Sequence, residues 1–144
     1  MWVIFEGLDK AGKTTLEWEF LKATNFKHVV IDRGPIGYKV FDELLGRSTS
    51  EGDAEFIKMA KQAKDSDDCM IVYCHCSYET AKKRLIEHNH EELPYNYHKA
   101  QILLSNNIKM HYADKVVDVN TDKPLNECIA KIVKESWRMR DEHN

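Results

Sequence analysis

Hydrophobic positions along this chain fall into short continuous runs separated by longer amphipathic stretches. Trp2-Val3-Ile4-Phe5, His28-Val29-Val30-Ile31, Cys69 to Cys74 and Lys115 to Val119 each read as a short buried strand. Between them the spacing becomes helical. Leu16, Phe20 and Ala23 share one face of a first predicted helix, and Ile36 to Leu45 forms a second. A third runs from Ser50 to about Lys64, with Ser50 and Asp53 at capping-box spacing and Phe56, Ile57, Ala60 and Ala63 on its apolar face. Ser77 is the expected N-cap of a helix over Glu79 to Glu87. Tyr97 to His111 carries a stripe of Ala100, Leu103, Leu104 and Ile108, and Leu125 to Arg138 turns Leu125, Ile129, Ile132, Val133 and Trp137 inward.

Strands joined by helical crossovers predict an α/β fold, a parallel sheet of about four strands with helices on both faces. No repeat, low-complexity tract or linker divides residues 1–144, so one domain is expected. Ligands of such sheets bind beyond the carboxyl ends of the strands. The segments after Phe5, Ile31, Cys74 and Val119 should therefore converge.

The first of these segments carries the most specific chemistry. Gly7-Leu8-Asp9-Lys10-Ala11-Gly12-Lys13-Thr14-Thr15 is a complete G-x-x-x-x-G-K-[ST] phosphate loop, set between a strand and a helix as that motif requires. Gly7 and Gly12 let the backbone turn its amides, from Asp9 through Thr15, toward a polyphosphate at the helix N-terminus. Lys13 is placed for the β- and γ-phosphates of ATP, and the Thr14 hydroxyl for Mg²⁺.

Asp32-Arg33 follows the second strand. An aspartate there suits a Mg²⁺-bound water, and the arginine offers a planar fork to a second anion. A surface dipeptide opening the Gly34-Pro35 turn is the alternative, and the phosphate loop upstream favours the functional reading.

Composition narrows the classes. The net charge of −3 and the absence of a basic run argue against a broad nucleic-acid surface. The apolar opening at Trp2–Phe5 is too short for a leader or a membrane span, so a cytoplasmic protein is expected. The four cysteines suit a reducing compartment. Cys74-His75-Cys76 reads as core strand, Cys74 and Cys76 on one face and His75 on the other, rather than as a metal site.

Phe5 to Thr15 resembles the opening of the thymidylate kinases, within the thymidylate kinase and deoxynucleoside kinase superfamily of phosphate-loop kinases. Asp9 sharpens the likeness, since thymidylate kinases carry aspartate there, near the acceptor sugar. Asp32-Arg33 is similar to the family's Asp-Arg motif, whose arginine grips the acceptor phosphate. Tyr38 through Arg47 resembles the helix that follows in compact phage-type members, Ala81 to Leu85 the start of the lid, and Asp118-Val119-Asn120 the last strand.

The resemblance implies a P-loop NTPase fold with a short lid around residues 84–95. Arg84 would close over the donor, and Asn120 and Thr121 would lie by its adenine. From their residue types, Tyr38, Phe41 and Phe56 are candidates either for stacking on the acceptor base or for the core, and Arg47 either for an acceptor contact or for capping the C-terminal end of its helix. Family members are often dimers, which implies a homodimer. Three departures stand out. The segment between Ala23 and His28 is short, predicting a reduced sheet. Gly34-Pro35-Ile36-Gly37 stands where a serine is usual. His88 and His90 occupy lid positions that are normally arginine.

The expected activity is transfer of the γ-phosphoryl of ATP, with Mg²⁺, to a pyrimidine deoxynucleoside monophosphate: dTMP, dUMP or a 5-modified dUMP. Lys13, Asp32, Arg33 and Arg84 are the expected catalytic groups, with Thr14 and Asp32 on the metal. A deoxynucleoside kinase of the same fold and a catalytically weak nucleotide-binding regulatory module are the alternatives.

Overall fold

A computed structural model describes residues 1–88 and 92–142. Its elements alternate as predicted: β1 (Trp2–Glu6), α1 (Lys13–Ala23), β2 (Val29–Asp32), α2 (Pro35–Leu44), α3 (Ser50–Asp65), β3 (Cys69–His75), α4 (Tyr78–Glu87), α5 (Tyr97–Tyr112), a short 3-10 turn (Ala113–Lys115), β4 (Val116–Asn120) and α6 (Leu125–Glu142). The four strands form one parallel sheet in the order β2-β1-β3-β4.

Alternation along the strands divides the core. Val3, Phe5, Met70, Val72, Cys74, Val117 and Val119 pack against Leu16 and Phe20 of α1 and Ile132 of α6. Ile4, Ile71 and Tyr73 face α2, α3 and α5 on the other side, where Ile36, Val40, Ala60, Leu104 and Ile108 are buried. The division follows from topology. The step from β1 to β2 runs one way across the sheet and the steps to β3 and β4 run the other, and crossovers of a single hand then place their helices on opposite faces. The reversal at β1 also opens the crevice in which such sheets bind ligands.

Several local expectations shift. Thr49, not Ser50, caps α3, its Oγ1 accepting from the Gly52 amide at 2.9 Å. Ile57 lies off the buried face of α3, 39% exposed. Helix α6 runs beyond Arg138 and buries Cys128, Ile132, Ser136 and Met139, leaving Leu125 and Trp137 exposed on a groove against α1. Cys74 and Cys76 fall on opposite sides of the sheet, because β3 ends at His75 and the chain turns before Cys76. Among the described residues no helix is long and apolar enough to cross a membrane.

His28, just before β2, is buried and stacks on Phe20 with ring centroids 5.3 Å apart. Burial, reinforced by the N-terminal ammonium and Arg140, lowers its pKa from the ordinary 6.5. Between that value and the lower folded one, the unfolded chain binds the proton more readily, so stability is full above about 6.5 and falls as pH drops below it. Melting curves at pH 7.5 and 5.5 should show an acid loss that His28→Phe, which keeps the stack, reduces; equal losses in both proteins would count against this assignment.

Candidate functional site

The loop between β1 and α1 lies across the carboxyl end of the sheet. Leu8 and Ala11 are buried beneath it, and a Cβ on Gly7 would come within 2.7 Å of the Cys74 carbonyl, so β3 is its floor. Gly12 sits at the N-terminus of α1 with φ +84°, a left-handed conformation natural to glycine, and no side chain caps that helix end. The result is an open helix N-terminus facing a cavity of about 720 Å³ lined by Asp9, Gly12, Thr14, Arg84, His88 and Thr121, among others. Lys10, at φ 68°, brings its Nζ to 3.4 Å from His88 Nδ1.

Lys13 donates to Asp32 Oδ1 at the tip of β2. Partial burial pushes the Asp32 carboxyl up, but hydrogen bonds from Glu17 and Lys13 and the charges of Lys13 and Arg33 hold it below the usual carboxylate range. Glu17, one turn beyond Lys13, is buried, and desolvation with the neighbouring Asp32 raises its pKa to about 8. At neutral pH this pair therefore presents one ionised and one protonated carboxyl.

Arg84 projects from α4 onto the loop backbone. Its Nη1 donates to the Lys10 carbonyl at 2.7 Å and to Thr121 Oγ1 at 3.2 Å, and its Nη2 to the Thr121 carbonyl at 3.1 Å. Thr121 in turn donates from Oγ1 to the Ala11 carbonyl at 2.7 Å and from its amide to the His75 carbonyl at 2.8 Å. Arg84 thus clasps the phosphate loop to the ends of β3 and β4. Asn120 accepts from the Asp122 amide at 3.0 Å and lines a smaller neighbouring cavity with His75 and Asp118, whereas Thr121 and Lys123 reach the phosphate-loop cavity. Of the two histidines expected in the lid, His90 lies outside the described residues.

On the other side of Asp9, Arg33 occupies the left-handed region with φ 62°. Its amide donates to the Phe5 carbonyl at 2.9 Å, and its guanidinium lies 4.0 Å above the Phe41 ring centre and 5.7 Å from that of Tyr38. Arg33 Nη2 donates to Asp9 Oδ1 at 3.3 Å, while the Tyr95 hydroxyl donates to Asp9 Oδ2 at 3.2 Å. Phe41 is buried and serves as a floor under Arg33, and the exposed Tyr38 stacks on Phe56 at 6.2 Å. Arg47 lies beyond the end of α2, not in the helix, and turns back to Asp42 of that helix at 3.2 Å.

No family model and no curated protein matches the sequence. Solved structures do match in shape. The YorR protein of Bacillus subtilis, in complex with phosphorylated GDP, superposes with a TM-score of 0.67 at 16% identity, covering 100% of this chain and 99% of that one. Deoxyadenosine kinase from M. mycoides, with dCMP and dCDP bound as products, gives 0.59 at 16% identity over 94% and 98% of the two chains. A sugar kinase from Janibacter gives 0.55 at 12% identity over 92% of each. The fold is that of the P-loop kinases. In this P-loop kinase fold, Glu6, Glu17 and Tyr95 take part in the site and escaped the sequence reading. Glu6 was visible as a charge closing an apolar strand just before the loop, while Tyr95 lies in an irregular segment with no periodicity to flag it.

Proposed function

We propose that this protein is a nucleotide kinase that moves the γ-phosphoryl of ATP to a pyrimidine deoxynucleoside monophosphate: dTMP, dUMP or a 5-modified dUMP. The observation that carries the reading is the two-sided site around Asp9. An open phosphate loop with Lys13 and Thr14 lies on one side, and an arginine fork held by Asp9 and Phe41 on the other. Two anions must meet for such a transfer, and each side offers cationic or amide donors to one of them.

Lys13 would leave Asp32 for the transferring phosphoryl group. The exposed Thr14 hydroxyl and the Asp32 carboxylate are hard oxygen donors of the kind Mg²⁺ takes, so they fit that ion. Bound there, Mg²⁺ would neutralise charge on the phosphates. Lys10 would add a cation on the lid side, beside His88. Arg33 would orient the acceptor phosphate, and Asp9 with Tyr95 would receive its sugar. Arg84 would hold the loop in shape, since its donors are engaged on loop and strand-end oxygens.

An ionised acceptor needs no base, whereas a nucleoside hydroxyl does. Glu6 is buried and Asp9 is engaged by Arg33 and Tyr95. Asp32 remains near the site as a candidate base for the deoxynucleoside kinase reading, and it holds Lys13. Turnover of ATP with Mg²⁺ against deoxynucleoside monophosphates, nucleosides and a short oligonucleotide tests the proposal. Conversion of one pyrimidine monophosphate is the expected result. Conversion of nucleosides alone would establish the second reading, and ATP binding without transfer to any acceptor would overturn both.

A further inference from the structure

Glu6 is fully buried, yet it is a carboxylate at the end of a core strand. Its Oε1 accepts from the amides of Gly34 at 2.8 Å and Gly37 at 3.1 Å, and its Oε2 from the Gly37 amide at 3.0 Å and the Tyr112 hydroxyl at 2.8 Å. Burying a carboxyl group is costly unless donors replace water, and here three groups do so.

The chain around it is shaped to make that approach. A Cβ on Gly34 would lie 2.4 Å from Ile4 Cγ2 and 3.0 Å from Glu6 Oε2. One on Gly37 would lie 2.4 Å from Glu6 Oε1 and 2.9 Å from Arg33 Cγ. Both residues are glycine where the backbone closes on the carboxylate, which accounts for the Gly-Pro-Ile-Gly run after Asp32-Arg33. Arg33 opens this turn in a left-handed conformation that costs energy for a non-glycine residue and persists only where the surroundings impose it.

We propose that Glu6 is the positioning residue of the acceptor side: its carboxylate pins the turn over residues 33–37 to the end of β1 and thereby holds the Arg33 guanidinium over Phe41 and against Asp9. Its part in the reaction rests on the proposed reading of Arg33 as the acceptor grip. The geometry of the pin stands apart from that reading. Glu6 acts through Arg33, with its oxygens on backbone and tyrosine donors.

The test uses Gly37→Ala, Tyr112→Phe, Glu6→Gln and Arg33→Ala in the full chain. Alanine favours a helix over glycine, so a defect in Gly37→Ala at the start of α2 is not one of helix propensity. The first readout is the NMR signal of the Arg33 side chain, shifted in the wild type by the ring current of Phe41. It should move to the free-arginine position in Gly37→Ala, move partway in Tyr112→Phe and stay in Glu6→Gln, whose amide oxygen can still accept from the turn. An unmoved signal in both Gly37→Ala and Tyr112→Phe overturns the proposal, whatever the activity.

The second readout is calorimetric binding of dTMP and, separately, of ATP. Gly37→Ala should weaken dTMP about 10-fold, leave ATP within about twofold, and have no further effect on dTMP in an Arg33→Ala background, the signature of coupled residues. Equal losses for both nucleotides, or a full additional loss in the double variant, overturn it. If the wild type binds neither nucleotide nor transfers phosphate, the proposed function fails, and the NMR readout still decides the role of Glu6.

Discussion

Replacing Lys13 by alanine should lower phosphoryl transfer from ATP about 10³-fold. Lys13 opens α1 at the open end of the phosphate loop, and its side chain is only 11% exposed, so no mobile surface cation replaces it readily. Its ammonium rests on Asp32, which places it at the junction of the loop and the tip of β2. Initial rates at saturating ATP and acceptor measure the effect, with a melting curve to check the fold. Removing the lysine also takes from Asp32 its ion-pair partner, leaving only the charge of Arg33 nearby, so Lys13→Met, which keeps the apolar stem, is the companion variant. Retention of more than about a tenth of the wild-type rate in both would be inconsistent with Lys13 stabilising the transferring group. A regulatory nucleotide-binding module, by contrast, has no turnover to lose in either protein.

Replacing Arg33 by alanine should reduce kcat/KM for the acceptor by about 10³-fold while leaving KM for ATP nearly unchanged. The asymmetry is the informative part. Arg33 contacts Asp9, Phe41 and Tyr38 on the side of the site away from the helix N-terminus, so its loss should leave the donor cradle intact. Arg33→Lys should not restore the rate, because an ammonium provides neither the planar stack on Phe41 nor a forked contact to phosphate. Steady-state kinetics with each substrate varied in turn separates the two sides. Equal rises in both KM values, or rescue by lysine, would remove Arg33 from the acceptor site.

Much of the frame behind these expectations was legible in local pattern. Each strand shows as a short apolar run, the helices as apolar stripes, that of α4 with its N-cap at Ser77, and the phosphate loop as a contiguous motif whose geometry is set by neighbours in sequence. Boundary errors were also local in origin. Thr49 and Ser50 are both competent caps, and which one takes the position depends on where the chain leaves α2. For α6 the expected inward face was only partly right: Ile132 is buried with Ile129 and Val133 packed beside it, but Leu125 and Trp137 are exposed, and the buried arc is centred on Cys128, Ile132, Ser136 and Met139 because α1 covers only part of the broader stripe.

The site was less legible because its parts come from distant segments. Arg84 reads in sequence as a lid arginine, and only the packing of α4 shows its guanidinium on the carbonyls of Lys10 and Thr121. Tyr95 reaches Asp9 across 86 residues and Tyr112 reaches Glu6 across 106, with no periodicity linking either pair. The sequence alone determined a parallel α/β sheet and the strand–loop–helix setting of the phosphate-loop motif, since both arise from interactions within a few residues and from the alternation of strand and helix. Only the tertiary structure decided which side chains face that loop, what holds Arg33 in its left-handed turn and which carboxylates are buried. Those outcomes depend on desolvation and hydrogen bonding between segments that meet only once the sheet has formed.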